Sequence, residues 1–195
     1  LRLSVKNNFI IIIATLFGWM LFKYLLLGNI TFEASFKYGF LYHGTALVTF
    51  AVLATSNGLR SFDSTPDFLI GFKHIAKSVV AYALGATLTV GVWHHYVMKD
   101  ATNARLQSLK VQITNNFSSE AEYLAEISEG GFPNDLSLSE WISSQHDAAE
   151  IFYAAKTQIS LTLMVYLVVG IFMSFVASLL WTKIWGVQHS NQNSR

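Results

Sequence analysis

Four apolar stretches of about 20 residues each dominate this sequence: Phe9–Leu27, Tyr38–Asn57, Ile75–Val97 and Ile159–Thr182. The hydrocarbon core of a bilayer is about 30 Å thick, which an α-helix crosses in about 20 residues. Lipid offers no partner to a backbone N–H or C=O, so a spanning segment must satisfy those groups within itself, as a helix does. Inside the four stretches the only Lys, Arg, Asp or Glu are Lys23, near the end of the first, and Lys77, near the start of the third. The first stretch is too long for the apolar part of a signal peptide, and no small-residue cleavage site follows within Gly28–Phe36. The expected fold is all-α and integral to a membrane: four transmembrane helices, with an extramembrane helical hairpin between spans three and four.

Charge is scarce, at 13% of residues against about 25% in soluble domains, and it is unevenly placed. Seven bases mark one side: Arg2 and Lys6 before the first span, Arg60, Lys73 and Lys77 between the second and third, and Lys183 and Arg195 at the end. On the other side Lys23 and Lys37 flank a short loop, and the segment 99–158 holds nine acids against four bases. Lys and Arg concentrate in short cytoplasmic loops. Both termini are therefore expected in the cytoplasm and the acidic segment outside it. The chain divides into 1–98, three spans with short loops; 99–158, the acidic extracytoplasmic segment; and 159–195, the fourth span and a short tail. No basic run suggests nucleic acid. The 0 Cys exclude a disulfide scaffold, a Cys-ligated metal centre and a Cys nucleophile.

A structureless loop as long as 99–158 is unusual in a compact protein, and the segment carries helical periodicity. Leu106, Leu109, Ile113, Phe117, Ala121, Leu124 and Ile127 follow one another in steps of three and four, which places them on one face. Asn115-Asn116, then Ser118 and Ser119 with Glu122, predict a bend and a fresh helix start. Gly130-Gly131 and Pro133 end the run. Ser137 with Glu140 forms a second capping-box pattern, opening a helix with Trp141, Ile142, Ala149 and Phe152 near one face. That helix is expected to run unbroken into span four. Its apolar face either closes the hairpin on itself or docks a partner, with Leu124, Ile127, Trp141 and Ile142 as contact candidates. The acidic side argues against anionic lipid as that partner.

Within lipid, helices associate through close approach of small residues. Span three carries Ala81, Gly85 and Thr89 four apart, and span four carries Gly170, Ser174 and Ser178. The two stripes are expected to nest together. Ionisable groups in spans are functional candidates by default. Lys23, one turn from a helix end, is expected to snorkel to the interface. Trp181 and Trp185 read as interfacial aromatics. His43, His94 and His95 fall in the outer half of their spans. Structural use is the plainer reading; the sharper one is haem or metal binding by His43 with His94 or His95.

The spans lack inward carboxylates, and there is no G-x-S-x-G, no H-E-x-x-H and no phosphate loop. The stretch Asn57-Gly58-Leu59-Arg60-Ser61-Phe62 leaves span two, and Phe68-Leu69-Ile70-Gly71-Phe72-Lys73-His74-Ile75-Ala76-Lys77 enters span three. On these residues and on its layout, the chain resembles an uncharacterised family of four-span bacterial membrane proteins common in Bacteroidota, a domain-of-unknown-function family. The resemblance implies a bacterial inner membrane, and it brings no enzyme activity and no catalytic residues. The reading that follows is a non-enzymatic accessory or scaffolding subunit without a cofactor. Its partners are the lipid bilayer and other membrane-protein subunits, with no nucleic acid and no identifiable small-molecule substrate. The alternatives are the histidine-based electron-transfer helper and a small oligomeric transporter or channel lined by Thr45, Thr49, Thr87 and Thr89.

Overall fold

The computed structural model describes residues 5–61, 67–130 and 136–185, and every regular element among them is helical. α1 spans Val5–Leu25 and ends in a turn at Gly28, whose φ of 81° suits a residue without a Cβ. The Thr31 hydroxyl accepts from the Ala34 N–H at 3.2 Å and starts α2, Phe32–Ser61. This cap lies ahead of the apolar stretch, so the helix begins six residues before Tyr38. α3, Phe68–Val92, likewise starts early because Asp67 caps the Ile70 N–H at 2.8 Å. It passes into a π-helical turn, Trp93–Val97. α4 (Lys99–Thr114), α5 (Glu120–Gly130) and α6 (Leu138–Tyr153) follow, then α7 (Ala155–Leu180) and a second π-helical turn, Trp181–Trp185. Among the described residues, four helical segments are long and apolar enough to cross a membrane: Asn8–Leu25, Phe32–Gly58, Phe68–Val97 and Ala155–Lys183.

The chain separates into two compact units, Leu1–Trp93 with Ile159–Arg195, and His94–Gln158. In the first, each long helix turns one stripe inward at steps of three and four: Ile12, Leu16 and Trp19 on α1; Leu47, Phe50 and Ala54 on α2; Ile75, Val79, Tyr82 and Ala86 on α3; and Tyr166, Gly170, Ser174 and Ser178 on α7. Large apolar side chains such as Phe17, Leu88 and Phe172 point outward, while His43, Thr55, Thr87 and Ser174 are buried. Such a distribution, with bulky apolar groups outside and small or polar ones inside, suits helices solvated by hydrocarbon.

The two small-residue stripes do not nest against each other. A Cβ on Gly85 would point at Leu16 Cδ1 of α1, 2.5 Å away, whereas one on Gly170 would meet Val79 Cγ1 of α3 at 2.5 Å and Leu47 Cδ2 of α2 at 3.5 Å. Ala81 and Thr89 are half-buried on α3 beside Gly85. α7 is fixed to α3 through Ser178, whose hydroxyl donates to the Phe68 carbonyl at 2.9 Å. Trp181 does not face outward as an interfacial aromatic would: it is 0% exposed, because Gly58 and Gly71 leave a slot for its indole. Trp185's side chain lies outside the described residues, as do Arg2, Phe62, Arg195 and the side chains of Lys6 and Arg60. At the same end Asn57 donates to Asn8 at 3.1 Å, a tie between α1 and α2.

In the second unit α4 and α6 run antiparallel. Lys110 pairs with Glu150, and His146 Nε2 lies 3.1 Å from the Lys110 carbonyl and 3.2 Å from the Thr114 hydroxyl. The bend predicted at Asn115–Ser119 is present, with Ser119 capping the Glu122 N–H and the Glu122 carboxylate accepting from the Ser118 N–H. The Ser137–Glu140 capping box is also present. α5 ends at Gly130, while Gly131 and Pro133 lie outside the described residues. One expectation fails: α6 does not continue into α7. Ala154 is extended, with φ −62° and ψ 138°, and α7 starts afresh at Ala155.

Candidate functional site

The interior of the long-helix bundle contains an aromatic cluster built around His43. Its stripe on α2 (His43, Leu47, Phe50) carries the ring inward, where it is 1% exposed. His43 Nδ1 lies 2.8 Å from the Tyr82 hydroxyl of α3. Either the phenol donates to Nδ1 or the Nδ1–H donates to the phenolic oxygen. Trp19 of α1 stacks flat on Tyr42 at 4.1 Å and meets His43 edge-on at 6.1 Å, while Tyr166 of α7 approaches at 5.5 Å. The Tyr42 hydroxyl donates to the Thr15 carbonyl at 3.0 Å. Four helices thus contribute to one enclosure, and the histidine fixes its centre.

Lys23 belongs to this interior and does not snorkel. It follows Ile12, Leu16 and Trp19 on the buried stripe of α1 and is 6% exposed. Its Nζ sits 4.7 Å from the Trp93 ring centroid and 6.0 Å from that of Trp19. No carboxylate pairs with it among the described residues. A desolvated cation–π contact is worth about 2 kcal/mol, less than the several kcal/mol that burial of an ion costs. A small cavity of about 10 Å³ opens here, lined by Trp19, Lys23, His43, Thr89 and Trp93 among others.

A second polar site occupies the His94–Gln158 unit. A pocket of about 270 Å³ is lined by His94, His95, Lys99, Asn103, Glu150 and Tyr153 with their neighbours. The π-helical turn places two consecutive histidines on its wall; such turns are frequent at functional sites. Buried Thr102 reaches back to donate its hydroxyl to the His94 carbonyl at 2.8 Å, anchoring the turn to α4. His95 Nε2 is buried with no hydrogen-bond partner among the described residues. The Lys110 ammonium beside Glu150, through its hydrogen bond and then its charge, holds that carboxyl below the usual carboxylate range.

The structure brings His94 and His95 to one pocket and puts His43 in the bundle enclosure. No group of three or more His, Cys, Asp or Glu placed to hold a metal occurs among the described residues. Of the contact candidates, Trp141 packs on Phe117 at 5.3 Å and Tyr123 at 5.9 Å, so it closes the His94–Gln158 unit on itself. Ile127 and Ile142 are half-buried, and Leu124 is exposed. No sequence motif marks Trp19, Tyr82 or Trp93 as site residues, and Lys23 reads from sequence as an interfacial cation. Their signal is the inward stripe: Trp19 and Lys23 sit seven and eleven residues beyond Ile12, on the same helical face. No family model, curated protein or solved structure matches the chain.

Proposed function

We propose that this protein is a non-enzymatic accessory subunit of a larger complex in the bacterial inner membrane, with both termini cytoplasmic. In this reading the acidic extramembrane unit docks on a basic extramembrane face of another membrane-protein subunit. The observation that carries it is the outer stripe of α6. Glu140, Ser144, Asp147 and Ile151 follow at steps of four, three and four, and all four are exposed. Ile151 is 64% exposed on this acidic face. A mixed acidic and apolar surface favours a basic partner with an apolar anchor, because complementary charge sets orientation while the buried apolar side chain supplies affinity. Membrane location is supported by the four apolar helices and the outward-facing bulk of the bundle. The orientation is supported by the placement of Lys and Arg.

The test is purification of the full chain from native membranes in mild detergent, beside the double variant Asp147→Lys, Ile151→Ser. The expected result is one stoichiometric membrane partner with a basic extramembrane surface, lost from the variant and weakened by salt. A preparation with no such partner, or an identical set of proteins from both chains, overturns the reading.

A further inference from the structure

Lys23 is a nine-tenths-buried cation whose neighbours are ring faces and an imidazole, with no carboxylate paired to it among the described residues. We propose that the cavity it shares with His43 and Trp93 is a binding site for a monatomic inorganic anion of chloride size. Three properties of the cavity select that ligand. Its volume of about 10 Å³ is on the order of one small occupant, which excludes phosphate, sulfate and carboxylates. Its charge is positive, since Lys23 is the only Lys, Arg, Asp or Glu on its wall.

Its remaining donors are few and fixed. The Thr89 hydroxyl is already given to the Ala86 carbonyl at 2.8 Å. His43 engages Tyr82 through Nδ1, so its second nitrogen is the one left to donate when the phenol supplies the proton of that bond. An anion between the ammonium and the imidazole N–H replaces the hydration both lose on burial. The site lies in the bundle interior and does not depend on a docking partner.

The test is thermal unfolding of the full chain in detergent, with sodium chloride, bromide, gluconate or sulfate at equal ionic strength. A ligand that binds only the folded state raises its midpoint in a saturable way. Chloride and bromide are expected to raise it by a few degrees, with gluconate and sulfate giving no saturable rise. Lys23→Met is expected to be insensitive to the halide, while Lys23→Arg retains the response. Equal midpoints in chloride and gluconate for the unaltered chain overturn the proposal, and that arm needs no variant to fold. An undiminished chloride response in Lys23→Met overturns it as well.

Discussion

Gly58 and Gly85 respond differently to the same added methyl group. A Cβ on Gly58 would lie 2.2 Å from Trp181 Cη2, on a rigid ring with nowhere to retreat, whereas a Cβ on Gly85 meets only the mobile end of Leu16. Gly58→Ala is expected to destabilise the bundle by about 1–3 kcal/mol, the usual range for overpacking. Gly85→Ala should stay within about 1 kcal/mol of the unaltered protein, helped by alanine's better helix propensity. Thermal unfolding in detergent compares the two directly, and equal losses would show that Trp181 does not fill the slot. At the centre of the bundle, Tyr82→Phe removes the partner of His43 Nδ1. It is expected to cost about 1–3 kcal/mol, the penalty of a buried polar atom left alone. Adding His43→Phe should cost less than the sum of the single changes, and strict additivity in the double-mutant cycle would contradict the contact. The sequence places His43 in an apolar stretch; it does not show that Tyr82 waits for it on another helix.

The elements themselves were largely readable from sequence, because their signals are local. The Ser137–Glu140 box, the Ser119 cap and the bend after Thr114 each depend on residues within one turn of one another. Facing surfaces were less readable, since small-residue spacing identifies a stripe but not the helix it meets. Gly85 therefore faces α1 and Gly170 faces α3, and the continuous α6–α7 helix is broken at Ala154. Ser137→Ala is expected to cost about 1 kcal/mol of α6 stability, seen as faster amide exchange in the first turn of α6. Unchanged exchange there would contradict the cap.

The same helices give a pH dependence of defined sign. The Ser137 hydroxyl and then its N–H hold the Glu140 carboxyl below its ordinary value, and Lys110 does the same to Glu150. Groups depressed in the folded state contribute stability above the unfolded pKa, about 4.3 for Glu, and lose it as pH falls through the folded values. Amide protection of α4 and α6 should therefore be level from neutral pH down to about 5 and decline below about 4. Protection that rises on acidification would contradict both contacts.

At the scale of the molecule, two compositions share one chain: a bundle whose bulky apolar side chains face outward, and an acidic helical unit with exposed apolar positions. Composition and hydropathy show this division at once, because each half is averaged over dozens of residues. The buried Lys23 escapes such averages, since its place is set by the stripe it shares with Ile12, Leu16 and Trp19. The docking reading rests on the exposed acidic and apolar stripe of α6. The chain has 0 Cys, so Ile151→Cys provides a unique attachment point for a photoreactive probe in native membranes, with Phe172→Cys as the bundle control. A single discrete protein adduct from position 151, absent from position 172 and reduced at high salt, is the expected result. A position 151 that yields only lipid adducts or none contradicts the proposed docking role.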